Sequence, residues 1–189
     1  MSGAPPARPL GLAAATPAAW YQAAVAALAA IHAAGVLHRD LKPGNVMMRA
    51  DGSVALIDFG LAKQLSLEAE ITATGEIFGT PYYMSPEQGH GRDVDARSDV
   101  YSLGVIFYEM LTGKKPYLAP TPMAVIYKHS HAPIPRLPED LTDWQPLLER
   151  LLAKEPQDRY QSAAEICAAI GAQLGVEATA ILSPPPSPP

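Results

Sequence analysis

The sequence has little of several features that mark particular classes of protein. It contains one cysteine, Cys167, so no internal disulfide can form, and a reducing, cytoplasmic location is expected. The net charge is -5 and no run of lysine or arginine occurs, which argues against a nucleic-acid partner. No stretch has the length and apolar character of a signal peptide or a membrane span. We therefore expect a soluble protein with no membrane segment in this chain.

The residues before Asp40 also lack acidic side chains, lysine and a glycine-rich motif. No acidic residue precedes Asp40, and no lysine precedes Lys42. No G-x-G-x-x-G pattern occurs in the sequence, and the nearest approach, GHGRDV at residues 89–94, lacks the third glycine. A phosphate-covering glycine loop and an upstream Lys–Glu ion pair are therefore both missing from these residues.

Apolar residues at helical spacing are what the sequence does contain. They predict a first helix from Thr16-Pro17 to Gly35, and a central helix capped by Ser98 and ended by Gly113. Three more helices are predicted for TPMAVIYKH, DWQPLLERLLAK and SAAEICAAIGAQL, the last with a capping box of Ser162 and Glu165.

Between the first and the central helix the pattern changes. VMMRADGSVALI predicts a β-hairpin with a two-residue turn at Asp51-Gly52, and residues 61–84 show no period and predict a long loop. We predict a loose segment at residues 1–15, one domain at 16–175 and a disordered, proline-rich tail at 176–189.

Four short motifs follow one another in a fixed order along this framework: HRDLKPGN at 38–45, DFG at 58–60, GTPYYMSPE at 79–87 and DARSDVYSLG at 95–104. Together they resemble bacterial-type serine/threonine protein kinases, over about residues 18–174. The resemblance implies a mainly α fold, the large C-terminal lobe of the α+β kinase fold, with a short β-hairpin carrying the catalytic and DFG segments. It also implies that the ATP-binding N-terminal lobe is missing from this sequence.

The resemblance assigns roles in phosphate transfer to four residues. Asp40 would accept the proton of a substrate hydroxyl, which suits a carboxylate, and Lys42 would stabilise charge on the γ-phosphate. Asn45 and Asp58 would bind Mg²⁺, a cation that prefers oxygen ligands. ATP and Mg²⁺ are therefore the expected cofactors, with Lys42, Asn45 and Asp58 contacting them. A solvated loop carboxylate is the alternative reading of Asp40.

Regulation is implied by Arg39, which directly precedes Asp40 as in kinases that are switched by loop phosphorylation. Thr72 and Thr74 in the following loop are the candidate regulatory phosphosites, with ordinary polar loop residues as the alternative. Thr80 in GTPYY is expected to be structural, with its hydroxyl bridging Asp40 and Lys42.

Structural support is implied for four further residues. His38 would hold the catalytic loop and the DFG segment, and Asp99 would accept backbone N–H bonds from that loop. Glu87 and Arg159 would form a buried ion pair. The pair His129 and His131 could suggest a metal site, but no third ligand lies at a sensible spacing, so a solvated helix end is favoured.

The resemblance implies a truncated protein serine/threonine kinase domain that acts on protein serine and threonine hydroxyls, with a possible kinase homodimer. One alternative is a non-catalytic module that binds a partner protein through TPMAVIYKH or complements a small lobe in trans. A degenerate gene product is a third reading, and the intact set Asp40, Lys42, Asn45 and Asp58 argues against it. Without a small lobe, an apolar patch near the first helix and the hairpin, and self-association, are expected.

Overall fold

The computed structural model describes residues 17–49, 53–59 and 81–174. Within these ranges the chain forms helices and one small antiparallel sheet, as the sequence predicts. The elements are α1 (Pro17–Ala33), β1 (Val46–Met48), β2 (Val54–Leu56), α2 (Pro86–Gly89), α3 (Ala96–Thr112), α4 (Pro122–His131), α5 (Gln145–Leu151) and α6 (Ala163–Leu174). The mainly α architecture with one short hairpin is confirmed.

Helix α3 lies in the centre of the core, as its apolar sequence predicts. Every residue from Ser98 to Phe107 is buried. The hydroxyl of Tyr21 in α1 donates to the Leu103 carbonyl at 3.1 Å. A Cβ on Gly104 would lie 2.8 Å from Cβ of Leu151, so glycine at this position allows α3 to approach α5 closely. α3 is therefore the element against which the functional loops are positioned.

The start of α3 differs from the prediction. Asp95 is the N-cap, and its carboxylate accepts from the Arg97 N–H at 2.8 Å. Ser98 lies inside the helix and donates its hydroxyl to Glu87 at 2.5 Å. The assignment of Ser98 as the cap was wrong because a bond to a residue distant in sequence engages its hydroxyl.

Three other helix ends can be compared with the sequence. Gly113 ends α3 with φ 70°, and Thr121 caps α4 by accepting from Ala124 N–H at 3.2 Å, both as predicted. At α6 only half of the capping box forms. Ser162 accepts from Glu165 N–H at 3.2 Å, but the Glu165 carboxylate accepts from Gln161 N–H instead.

The hairpin is confirmed, with Val46 opposite Leu56. Arg49 N–H donates to the Ser53 carbonyl at 2.8 Å, so three residues, 50–52, connect the paired positions and not the two of the predicted turn. Asp51 and Gly52 themselves lie outside the described residues. At the open end of the hairpin, Ile57 N–H donates to the Asn45 carbonyl at 3.0 Å, which places the DFG segment beside Asn45.

Seven large apolar side chains are exposed in the described residues. Val36, Met47 and Ile57 lie just after α1 or in and beside the hairpin, where the sequence predicts an apolar patch. Leu118, Met123 and Tyr127 lie on and just before α4, and we call these three residues the α4 face; Leu174 is the seventh. Over the described ranges, no helix combines the length and the hydropathy that a membrane crossing requires.

Candidate active site

The loop between α1 and β1 brings three of the predicted site residues together. Lys42 Nζ lies 2.9 Å from Asp40 Oδ2, and Asn45 Nδ2 lies 3.2 Å from the same oxygen. Asn45 Nδ2 also donates to the Asp40 carbonyl at 2.8 Å. The side chain of Asp40 is 19% exposed and that of Lys42 is 33% exposed. The carboxylate is therefore fixed by a cation and an amide and remains accessible from solvent.

Asn45 is a buried residue whose two amide ends have different surroundings. The turn Pro43–Asn45 is a 3₁₀ turn, closed by the Asn45 N–H donating to the Lys42 carbonyl at 2.9 Å. Both hydrogens of the amide nitrogen face Asp40, which assigns the other end of the amide as the oxygen. No described residue donates a hydrogen bond to that oxygen, so it can serve as a ligand for a hard cation.

Asp58 follows β2 and has an exposed side chain. The residues Arg39 and Asp58 have φ of 66° and 53°, and within the described ranges no other residue except glycine has positive φ. Such backbone conformations cost about 1–3 kcal/mol each and are concentrated at functional sites. Arg39 lies in the loop that holds Asp40, directly before it, and Asp58 lies two residues after β2.

His38 is fully buried below this loop and joins it to the DFG segment. Its Nδ1 accepts from Asp40 N–H at 3.4 Å, so Nε2 carries the hydrogen and donates to the Ile57 carbonyl at 3.0 Å. The ring packs on Phe59 with centroids 4.9 Å apart. Burial lowers the pKa of His38 against the opposing influence of the Asp99 charge. A neutral, hydrogen-bonded His38 fits a structural role.

Asp99 in α3 is buried and binds the backbone of the same loop. Its Oδ2 accepts from His38 N–H and its Oδ1 from Arg39 N–H, each at 2.8 Å. His32 Nε2 lies 2.8 Å from Oδ2 as well. The two backbone hydrogen bonds from the loop to Asp99 are those expected from the sequence analysis. The contact between His32 and Asp99 was not expected. No local pattern marks His32, because its partner lies 67 residues further along the chain.

Glu87 and Arg159 form the expected buried ion pair. The pair is bidentate, with distances of 2.7 and 2.8 Å. The remaining guanidinium hydrogens donate to the carbonyls of Ala153, Arg97 and Lys154, so all five donors of Arg159 have partners. Burial raises the pKa of Glu87, but the hydrogen bond and charge of Arg159 outweigh it and hold the pKa below its usual value.

The segment of residues 81–88 is attached both to the loop that holds Asp40 and to α3. Gln88 donates its side-chain amide to the Arg39 carbonyl at 2.8 Å, and Ser102 donates its hydroxyl to the Tyr83 carbonyl at 2.7 Å. The sequence analysis did not identify Gln88 as a contact of the loop. Thr72, Thr74 and Thr80 lie outside the described residues.

The histidines of α4 have unlike surroundings. His129 is buried, not solvated as predicted, and its Nδ1 lies 2.9 Å from the Tyr101 hydroxyl. Burial, and then the charge of Lys154, lower its pKa to about 4. His131 is exposed and stacks on Tyr127 at 4.2 Å. In the described ranges no group of three or more histidine, cysteine, aspartate or glutamate residues is arranged to hold a metal ion.

Comparison with known proteins agrees with this geometry. Residues 11–169 match the protein kinase domain. The chain is 44% identical over 139 residues to serine/threonine-protein kinase PknB of Mycobacterium leprae, covering 71% of this chain and 22% of that protein. It is also 44% identical over 147 residues to serine/threonine-protein kinase PknA of Mycobacterium tuberculosis, covering 77% and 34% respectively. The matched part thus spans about a fifth to a third of these relatives. The chain belongs to the protein kinase family, as a bacterial-type serine/threonine kinase sequence.

Proposed function

We propose that this chain supplies the catalytic half of a kinase that transfers the γ-phosphate of ATP to serine and threonine hydroxyls of proteins. The observation that carries the proposal is the Asp40 carboxylate, accessible to solvent and held by Lys42 and Asn45 at the open end of the hairpin. The one cysteine of the sequence, Cys167, is a buried free thiol. A chain without a disulfide is usual in the reducing cytoplasm, which supports a cytoplasmic site of action.

Asp40 acts as the group that orients and then deprotonates the substrate hydroxyl. As the hydroxyl oxygen forms its bond to the γ-phosphorus, the bond to the bridging oxygen of ADP breaks and the proton passes to the Asp40 carboxylate. A positioned general base contributes about 10²–10⁴-fold to such a rate. Asp99 holds the loop backbone through two N–H bonds of 2.8 Å, so that the carboxylate stays in place.

Lys42 balances charge at the same place. In this structure its ammonium lies against Asp40, and a third of the side chain is exposed. The side chain is therefore free to turn toward a phosphate oxygen while remaining next to the base. A lysine two residues after the aspartate is typical of the serine/threonine branch, which is why we propose hydroxyl substrates of that kind.

Asn45 and Asp58 fit a Mg²⁺ site. The Asn45 amide oxygen has no donor among the described residues, and the Asp58 carboxylate is exposed just beyond the Ile57–Asn45 hydrogen bond. Mg²⁺ is usually bound through one or two protein oxygens together with phosphate oxygens and water, so two protein ligands are sufficient. When bound, the ion neutralises charge on the phosphates.

These 189 residues contain no glycine-rich loop and no Lys–Glu pair ahead of Asp40. The assay therefore measures phosphate transfer from Mg²⁺-ATP to a peptide containing serine, threonine and tyrosine, with and without the small lobe of a mycobacterial PknB added in trans. We expect transfer to serine and threonine in the presence of the added lobe. Asp58→Asn should abolish it, and the exposed Asp140→Asn should not. The proposal would be contradicted if Asp58→Asn transferred phosphate as fast as the wild type, or if no transfer occurred in the presence of the added lobe.

Regulation by phosphorylation of Thr72 or Thr74 is part of the proposal. Its support is Arg39, whose backbone is held by Asp99 and Gln88, directly before Asp40. Incubation with an active bacterial kinase followed by mass spectrometry should find phosphate on one of these threonines. If neither Thr72 nor Thr74 carried phosphate, the proposed regulation by loop phosphorylation would be wrong.

Binding of a partner protein is a second candidate function, because Leu118, Met123 and Tyr127 of the α4 face are 57%, 56% and 63% exposed. Saturable binding to a second kinase that survives Asp40→Asn and is lost in Met123→Asp would support it. Binding that Met123→Asp leaves unchanged would count against this surface.

A further inference from the structure

Helices α2 and α4 pack against one another unusually closely at one point. A Cβ on Gly89 would overlap the Ile126 side chain of α4, so only glycine permits this approach. The contact brings His90, the residue that ends α2, beside the last turn of α4. His90 Nδ1 lies 3.3 Å from the Ser130 hydroxyl, and the rings of His90 and His131 have centroids 6.4 Å apart. Both histidines are exposed.

The hydrogen bonds of the two imidazoles define which nitrogen carries the lone pair. His90 Nδ1 lies 2.7 Å from the Pro86 carbonyl, and His131 Nδ1 lies 3.0 Å from the Tyr127 carbonyl. A carbonyl only accepts, so in both rings Nδ1 carries a hydrogen, and the lone pair of each neutral imidazole is on Nε2. A backbone carbonyl on one ring nitrogen is the usual arrangement of a histidine that ligates a metal through the other nitrogen. No described residue donates a hydrogen bond to either Nε2.

We propose that His90 and His131 form a two-imidazole binding site for a divalent transition-metal ion such as Zn²⁺. A Zn–N bond is about 2.0–2.1 Å, so a ligating ring has its centroid roughly 3 Å from the metal, and two rings on one tetrahedral ion have centroids roughly 5 Å apart. The observed 6.4 Å needs only a small rotation of two exposed side chains. Water completes the coordination, since no third protein ligand is present in the described ranges.

The bound ion would cross-link α2 and α4. α2 directly follows residues 81–85, and α4 carries the α4 face, so the ion would hold this face in a fixed orientation toward that segment. The site uses nitrogen ligands and includes none of Asp40, Asn45 and Asp58. It is therefore independent of the proposed kinase activity, and the two proposals can fail separately.

Calorimetric titration of the purified 189-residue chain with Zn²⁺ tests the site. Millimolar Mg²⁺ is kept present to occupy oxygen-ligand sites, because imidazole favours Zn²⁺ and Mg²⁺ does not compete for it. We expect one Zn²⁺ per chain, and at least about tenfold weaker binding in His90→Gln and in His131→Gln. The double variant should bind little more weakly than either single variant, since one ligand alone does not make the site. Lys128→Gln, an exposed neighbour on α4, is the matched control and should leave the affinity unchanged.

Thermal unfolding provides a second readout that does not depend on activity. At a free Zn²⁺ concentration of about 100 times the dissociation constant, the melting temperature of the wild type should rise by about 5–10 °C, and that of the double variant should not change. Affinities of the two single variants within about twofold of the wild type would overturn the proposal. So would an equal melting shift in the double variant, because the ion would then bind elsewhere.

Discussion

The Glu87–Arg159 ion pair offers the sharpest test of how the segment after the long loop is held. Arg159→Met removes the cation and keeps most of the volume, leaving Glu87 buried with only the Ser98 hydroxyl as a side-chain partner. Three backbone carbonyls also lose their donor. Breaking a buried pair on one side costs about 3–5 kcal/mol of unfolding free energy. This is a large share of the roughly 5–15 kcal/mol that stabilises an ordinary domain.

Urea unfolding followed by circular dichroism measures this loss. With an m value of about 2 kcal/mol per molar urea, a loss of about 4 kcal/mol lowers the midpoint by about 2 M. Arg150→Met is the matched control. Arg150 faces Glu165 at 3.4 Å with both side chains about half exposed, and such a pair contributes about 0.2–1 kcal/mol. A loss below about 1 kcal/mol for Arg159→Met would refute the role given to the pair.

The pH dependence of the same variant gives an independent check. In the wild type the pKa of Glu87 lies below its usual value, so its contribution to stability is present above the unfolded pKa and is lost as the pH falls through the folded pKa. Without Arg159, burial is the largest remaining influence and raises that pKa above the unfolded value. The deficit of Arg159→Met should therefore shrink as the pH falls through the raised pKa. A deficit that is constant with pH would contradict this account of Glu87.

Two further predictions concern Asp99 and His129. Asp99→Asn places an amide N–H₂ opposite one of the two backbone N–H groups that Asp99 binds in the loop before β1. We expect the free energy of unfolding in urea to fall by about 1–3 kcal/mol and phosphate transfer to be at least about tenfold slower. If neither the unfolding free energy nor the transfer rate changed, Asp99 would not anchor this loop. His129 has a folded pKa of about 4 against an unfolded value near 6.5, so stability should fall by about 3 kcal/mol as the pH drops from above 6.5 to about 4. In urea unfolding, the stability of His129→Gln should not show this fall between about pH 6.5 and 4. If the variant kept the pH dependence of the wild type, that dependence would come from other groups.

The sequence predicts the elements of this fold well where local chemistry decides them. The α1, α3, α4 and α6 segments follow from apolar periodicity, and Gly113 and Thr121 mark helix ends because a positive φ and a capping hydroxyl are local requirements. The roles of Asp99 and of the pair Glu87–Arg159 were predicted from the resemblance to protein kinases, and the contacts are present.

The features that the sequence did not predict involve partners distant along the chain. Ser98 looks like a helix cap, but its hydroxyl donates to Glu87 of α2, which comes close to it only in the folded chain. The place of His32 beside Asp99 depends on the packing of α1 on α3 and leaves no local pattern. His129 and His131 look equivalent in sequence, yet one is buried against Tyr101 and the other is exposed, because the two lie on different faces of α4.

The central claim, that Asp40 is the base of a phosphate-transfer site, is tested most directly by one rate comparison. The measurement is the initial rate of phosphate transfer from Mg²⁺-ATP to a serine/threonine peptide, with the added small lobe, for the wild type and for Asp40→Asn. The amide keeps the size of the side chain and cannot accept the proton, so the rate should fall by about 10²–10⁴-fold while the melting temperature stays within a few degrees. An Asp40→Asn variant that transfers phosphate at the wild-type rate would contradict the claim.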